Sequence, residues 1–158
     1  MAKAHPIRLR RAGRPIGKTV AKELIKKRAA TRRTTVAVGF FQEDRYPNGD
    51  QVARIAAINE FGAPRARIPM RPALRIANQT GEETVSRIIR QTSSRSHGGI
   101  TEQGARYVGT FMVGTTRQSI MRLHSPKNAP YTIQKKGFNN PLVETRHMER
   151  SVQAKIEE

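Results

Sequence analysis

Strand-type sequence occurs near the beginning and at the end of this chain, and the long interval between has helix-type and turn-type sequence. The first strand candidate is Thr34–Phe41, rich in β-branched and aromatic residues, and the last are Leu142–Val143 and Val152–Ile156. The final strands can pair with the first only across most of the chain. This order predicts an α+β fold, in which a small antiparallel sheet packs against several helices.

The helix that follows the first strand is predicted from the residues at its two ends. The turn Tyr46–Asp50 contains Pro and Asn-Gly, and Asp50 is expected to cap a helix over Gln51–Phe61. Gly62 stands where a glycine commonly ends a helix. The inner face of this helix is expected to consist of Val52, Ile55, Ala56, Ile58 and Asn59.

The next segment predicts a linker and a second helix. Ala63–Arg71 is rich in proline and arginine, so we expect it to be extended, and Pro72 suits the first turn of a helix that runs to Gln91. Thr92–Gly99 is rich in serine and glycine, which indicates a turn.

The longest predicted helix covers Ile100–Leu123, and a short one follows at Pro130–Lys136. Gly104, Gly109 and Gly114 recur within the long helix. A glycine in a helix interior costs up to about 1 kcal/mol relative to alanine. We therefore expect these positions to permit close backbone packing, and the helix is a candidate for contact between subunits.

The positive charge of the chain is concentrated at its N-terminus. Residues 1–33 carry twelve Lys and Arg against one acid, Glu23, in a chain of net charge +18. We therefore divide the chain into a basic N-terminal arm with a helix over Lys18–Arg32 (residues 1–33) and a single α+β domain (residues 34–158). Within that helix the apolar stripe is narrow and consists of Val20, Leu24 and Ile25.

Such a field favours polyanions, so the arm is expected to contact either DNA phosphates or an acidic neighbouring protein. The alternative is a solvated tail without a fixed partner. No aromatic residue is interleaved with the charges, which argues against a base-stacking platform for single strands. The candidate contact residues of the arm are Arg8, Arg10, Arg11, Arg14 and Lys18.

The sequence contains no pattern typical of catalysis or cofactor binding. Cysteine is absent, none of the four histidines lies three or four residues from another, and Gly17-Lys18-Thr19 lacks the upstream glycine of a phosphate-binding loop. No apolar run reaches membrane-spanning length. We therefore expect a protein that is not an enzyme, with no cofactor, no metal and no membrane partner.

Two blocks of sequence resemble those of phage neck and tail-completion proteins, a family that includes virion morphogenesis and minor tail components. The first block is Asn59-Glu60-Phe61-Gly62 followed by Ile68-Pro69-Met70-Arg71-Pro72. The second begins at Asn128-Ala129-Pro130-Tyr131 and continues through Pro141-Leu142-Val143-Glu144-Thr145 to Met148-Glu149-Arg150-Ser151-Val152. The resemblance covers roughly residues 36–156.

The residues that match the family motif are Asn59, Glu60, Phe61, Gly62, Ile68, Pro69, Arg71, Pro72, Pro141, Leu142 and Thr145. The chain departs from the pattern at Glu144-Thr145-Arg146, where Asp-Thr-Gly is usual. Arg146 in place of glycine implies that the turn does not need a positive φ, or that it adopts one at an energetic cost.

Several motif residues also have roles that follow from their chemistry. Phe61 is expected to anchor the core, whereas Arg71 and Arg75 are expected to point outward to an acidic partner. Pro69 and Pro72 fix φ and so hold the linker extended. The alternative is that this stretch merely crosses the domain. Four apolar residues of the second block are expected in the core, namely Leu142, Val143, Met148 and Val152.

The resemblance implies a structural virion protein at the head–tail junction of a tailed double-stranded DNA phage, assembled in the host cytoplasm. Such a protein forms a homo-oligomeric ring of six or twelve copies around the DNA channel. Its partners would be the portal–adaptor complex, the tail terminator or tube proteins, and double-stranded DNA. Two alternatives remain open: a tail terminator that caps the tube, and a basic nucleic-acid-binding module.

Overall fold

A computed structural model describes residues 34–93 and 99–157, together with the backbone of two short strands near the N-terminus. These strands, β1 (Arg10–Arg11) and β2 (Arg14–Pro15), pair antiparallel with each other. The helix predicted over Lys18–Arg32, the residues Arg8 and Lys18, and the side chains of Arg10, Arg11 and Arg14 lie outside this description.

The main sheet joins the two ends of the domain, as the sequence predicts. Strand β3 (Thr35–Gly39) pairs antiparallel with β4 (Gln153–Glu157), with Val36 opposite Ile156 and Val38 opposite Ala154. The strand expected at Leu142–Val143 is wrong, because the chain makes a turn there. A turn suits this position, since Pro141 has no backbone N–H to donate to a sheet.

Five helices lie between the two strands in the described part of the chain. They are α1 (Val52–Phe61), α2 (Ala73–Thr92), α3 (Glu102–Arg122), α4 (Pro130–Lys136) and α5 (His147–Arg150). A 3₁₀ turn at Pro64–Ala66 interrupts the linker that was expected to be extended throughout. The predicted α+β class, with a small antiparallel sheet against helices, is confirmed.

The helix caps agree with the sequence only in part. Gly62 follows α1 with φ of 73°, as a glycine at a helix end allows. Asp50 does not cap α1, because its backbone N–H and its carboxylate both bond to the side chain of Asn48, and Gln51 occupies the capping position without a side-chain bond. Asp50 is therefore held by the preceding turn.

Helix α3 lies between α2 and the sheet, and glycines set the spacing on both sides. A Cβ added at Gly109 would lie 3.1 Å from the Cβ of Ala154 in β4, and one at Gly81 of α2 would lie 2.5 Å from the sulfur of Met112. A Cβ at Gly104 would lie 2.6 Å from the Cβ of Thr92. The close packing expected of Gly104 and Gly109 therefore occurs within the chain, and their expected role between subunits is wrong.

The core is aliphatic and lies where α1, α3 and the C-terminal segment meet. Ile120, Val52 and Val152 are almost completely buried. The expectation that Leu142, Met148 and Val152 are core residues is confirmed, and Val143 is half-buried against the same cluster. Among the described residues, no helix is long and apolar enough to cross a membrane.

Candidate assembly surface

The first motif block forms a short, tightly bonded loop between α1 and α2, called here the α1–α2 loop (residues 62–72). The N–H of Ala63 donates to the oxygen of Ile68 at 2.9 Å, and the N–H of Ile68 donates back to the oxygen of Ala63 at 3.1 Å. Arg67 closes the turn with φ of 54°. Gly62 lies against Met70, where an added Cβ would be 3.0 Å from the Met70 nitrogen. The loop is therefore a hairpin-like projection with internal hydrogen bonds.

A buried carboxylate fixes one side of this loop. The oxygens of Glu60 accept hydrogen bonds from the backbone N–H groups of Leu74 and Arg75, at 2.9 and 3.0 Å. These N–H groups belong to the first turn of α2, where no carbonyl within the helix can accept from them and the helix dipole favours a negative charge. Glu60, only 7% exposed, thus ties the end of α1 to the start of α2.

A buried guanidinium fixes the other side. The side chain of Arg71 donates to the carbonyl oxygens of Pro126 and Lys127 and to the side-chain oxygen of Asn128, at 3.2–3.3 Å. Its backbone N–H donates to the Asn59 oxygen at 2.6 Å. Burial lowers the pKa of the Arg71 guanidinium, which nevertheless stays charged at neutral pH because arginine starts so high.

Arg71 was expected to point outward to an acidic partner, and that expectation is wrong. Its exposure is 9%, and its donors satisfy carbonyl groups of a segment more than fifty residues away in sequence. The backbone groups of an irregular segment need side-chain partners when they are buried. Arg71 meets that need and joins the first motif block to Asn128 at the start of the second.

Phe61 was expected to anchor the core, and the structure corrects this too. Its side chain is 71% exposed, whereas the adjacent Glu60 is buried. Met70, at the other end of the loop, is 46% exposed. Thus the inward-facing residues of the block are charged and hydrogen-bonded, and two large apolar side chains face solvent.

Exposed arginines surround these apolar side chains. Arg65 and Arg67 lie in the loop and Arg75 follows it in α2, and all three are exposed. The interval between Glu60 and Glu82 contains no acidic residue. We define the outer face of the loop as the exposed side chains of Phe61, Arg65, Arg67, Met70 and Arg75.

The second motif block lines an open cleft of about 690 Å³ beside the loop's anchor. Pro141, Leu142 and Thr145 contribute to its wall, and Asn59 from the first block lies opposite. The two blocks, some eighty residues apart in sequence, therefore meet at this cleft. The remaining motif residues lie in the loop, where Ile68 and Pro72 are half-buried and Pro69 is exposed.

The charged and aromatic groups of this cleft are Lys136, Glu144, Tyr46 and His147. The rings of Tyr46 and His147 are 4.9 Å apart, and His147 Nε2 lies 2.8 Å from the Arg45 carbonyl oxygen, so that nitrogen donates. Burial lowers the pKa of the Lys136 ammonium and raises the pKa of the Tyr46 hydroxyl. The imidazole is held by stacking and by a backbone carbonyl, which is a structural arrangement.

Arg146 adopts the conformation that its family counterpart reaches with glycine. Its φ is 61°, and it directly precedes helix α5, whose Arg150 N–H donates to the Arg146 oxygen at 3.0 Å. The left-handed conformation costs a residue with a side chain roughly 1–2 kcal/mol. Of the two possibilities left by the sequence, the turn does require a positive φ here.

Within the described ranges, no group of three or more His, Asp or Glu residues is arranged to hold a metal ion. His5 and His97 lie outside them. Sequence reasoning missed the buried positions of Glu60 and Arg71. For Glu60 a signal was present, because a carboxylate a few residues before a new helix start can bond its free N–H groups.

Comparisons of the chain with protein-family models, with curated proteins and with solved structures give no match in any of the three.

Proposed function

We propose that this chain is a structural, non-enzymatic virion protein that forms a ring at the head–tail junction of a tailed double-stranded DNA phage. In this role it joins the portal–adaptor complex to the tail around the DNA channel. The proposal is based on the resemblance of the two motif blocks to neck and tail-completion proteins. The observation that carries it furthest is the division of the first block into a buried anchor and an exposed outer face.

The anchor supplies the rigidity that an assembly contact requires. Glu60 and Arg71 hold both ends of the loop against the body of the domain. A preorganised surface loses less conformational entropy on binding than a mobile one. The outer face therefore meets a partner without first having to become ordered.

The composition of the outer face suits a protein–protein contact. Phenylalanine, methionine and arginine are enriched in interfaces relative to the rest of the surface. Exposed Phe61 and Met70 lie at the two ends of a loop whose arginines would form a polar rim. In a closed ring each subunit contacts its neighbour through two different surfaces, and the outer face would be one of them.

The charge of the outer face matches the same role. Arg65, Arg67 and Arg75 add to the basic N-terminal arm, and repetition of a basic chain around a ring is tolerable only opposite DNA phosphates or acidic rings. The arm residues Arg8, Arg10, Arg11, Arg14 and Lys18 remain candidates for these contacts.

Labelling of assembled particles tests the proposal. Tailed particles made from the genome that encodes this chain would be treated with gold-conjugated antibody against it and viewed by electron microscopy. We expect label at the junction of head and tail, and none on isolated heads without a neck. Label on the distal end of the tail, or absence of the protein from purified particles, would contradict it.

The same experiment separates the alternatives. A tail terminator would label the head-proximal end of free tails, whereas a neck protein would label heads that have completed their necks. A basic nucleic-acid-binding module would be absent from particles and would instead remain with host or phage nucleic acid. Its binding would weaken steeply with salt, because phosphate contacts release counterions.

A further inference from the structure

Strand β3 has one edge without a strand partner among the described residues, because its sheet consists of β3 and β4 alone. Unpaired edges invite aggregation, and proteins commonly cover them with a helix or a loop. A feature that covers this edge would remove that risk.

An apolar groove runs along β3, called here the β3 groove. One part, about 550 Å³, lies between Val36 and Val38 of β3 and Val85 of α2, with Val108 and Met112 of α3 at its base. An adjoining part, about 360 Å³, shares Val38 and continues to Leu74 at the start of α2. The groove thus follows α2 from Leu74 to Ser86, roughly 18 Å at 1.5 Å per helical residue.

The charges of the groove are acidic. In a chain with 30 Lys and Arg against 12 Asp and Glu, the two linings contain Glu82 and Glu60 and no basic residue. Glu60 is already bonded to the start of α2, whereas Glu82 is exposed at the rim. The groove therefore fits an apolar segment that carries positive charge on its outer side.

We propose that residues 18–32 of the same chain lie in the β3 groove as an amphipathic helix, with Val20 and Leu24 against Val36, Val85 and Val108. A helix of this length spans roughly 22 Å, close to the length of the groove. Val20, Leu24 and Ile25 share one side of such a helix, and its other side carries Lys22 and Lys26.

The connection of the chain supports this occupant. Residue 32 precedes Thr34 by two positions, and Val36, which lines the groove, follows two positions later. The segment therefore enters at the groove without a long linker, so closing the contact costs little loop entropy. Docked in this way, the helix would hold the basic arm beside the sheet whether or not the chain forms a ring.

Paired substitutions in the full chain test the docking. V20S/L24S removes the apolar stripe, and the control K22S/K26S has the same four-residue spacing on the opposite side of the helix. We expect the methyl NMR signals of Val36, Val85 and Val108 to shift in V20S/L24S and to keep their wild-type positions in K22S/K26S. Unchanged groove methyl signals in a folded V20S/L24S chain would overturn the proposal.

Cysteine pairing gives a second test that needs no loss of the stripe. The natural chain has no cysteine, so a disulfide introduced by L24C/V85C is unambiguous. We expect this pair to close within one chain on mild oxidation, and K26C/V85C to stay largely reduced, because a disulfide requires Cα atoms within about 7 Å. Disulfides formed only between chains would assign the groove to a second copy and overturn the proposal, as would no disulfide at all.

Discussion

The α3–sheet interface and the α1–α2 loop are stabilised in opposite ways. At the interface, Gly109 and Ala154 let a helix and a strand approach closely, and the contact is entirely apolar. At the loop, Glu60 and Arg71 are buried and bond backbone groups. Regular elements satisfy their own backbone hydrogen bonds and need only packing, whereas an irregular loop takes its partners from side chains.

This difference separates stability from recognition in the loop. The charged side chains that hold it point inward, so its outer face is free of any role in the fold. In the α3–sheet region, by contrast, nearly every inward residue contributes to packing. Substitutions in the two regions should therefore differ in what they change.

Truncation of the packed core should have the largest effect. Ile120 is 1% exposed, and Ile120→Ala should lower the free energy of unfolding by about 2–5 kcal/mol through lost burial and a residual cavity. Urea denaturation measures this. The neighbouring Met121→Ala, at a side chain 39% exposed, should cost much less. Equal losses from the two variants would contradict the packing described for α3.

Removal of the loop's guanidinium should have an intermediate effect. Arg71→Met keeps most of the apolar stem but leaves the Pro126 and Lys127 carbonyl oxygens without their donor, which should cost about 1–3 kcal/mol. Amide hydrogen exchange of Ala63 and Ile68 should also become faster, because the loop loses its anchor. The exposed Arg67→Met provides the control, and if it destabilises as much, Arg71 is not the anchor.

Replacement of Arg146 by glycine should stabilise the protein slightly. Glycine adopts φ of 61° without the steric cost that arginine bears, although its unfolded chain has more conformational freedom. The net gain in unfolding free energy should be at most about 1 kcal/mol. Arg150→Gly, within helix α5, should instead destabilise. A stabilised Arg150→Gly together with a destabilised Arg146→Gly would reverse the expected order.

The sequence predicted the architecture because its signals there are local and periodic. The β-branched run before Gly39, the strand after Val152 and the helix Pro130–Lys136 bounded by Gly137 all occur close to where they were expected. Antiparallel pairing of the terminal strands followed from their order alone. These features depend on residues within a few positions of each other.

The sequence did not predict the inside of the α1–α2 loop because the deciding partners are distant. Phe61 and Glu60 are neighbours in the last turn of α1, so a small rotation of the helix decides which one is buried. Apolar residues are usually inside and arginines outside, and both expectations fail here because Leu74, Arg75 and Pro126 offer hydrogen-bonding groups. Such partners become visible only in the fold.

Substitution on the outer face should have the smallest effect on stability and the most direct effect on assembly. F61S/M70S removes two exposed apolar side chains and should change the unfolding free energy by no more than about 0.5 kcal/mol. The control Y107S/Y131S removes two other exposed aromatic side chains, which are 51% and 76% exposed and lie outside the loop.

The most direct test of the assembly role is the yield of joined particles from phage that carry each double variant, counted by electron microscopy. For F61S/M70S we predict full heads and separate tails that do not join, from a protein as stable as the wild type. For Y107S/Y131S we predict joined particles at the wild-type yield. Joined, infectious particles at the wild-type yield from F61S/M70S would contradict the role assigned to the outer face.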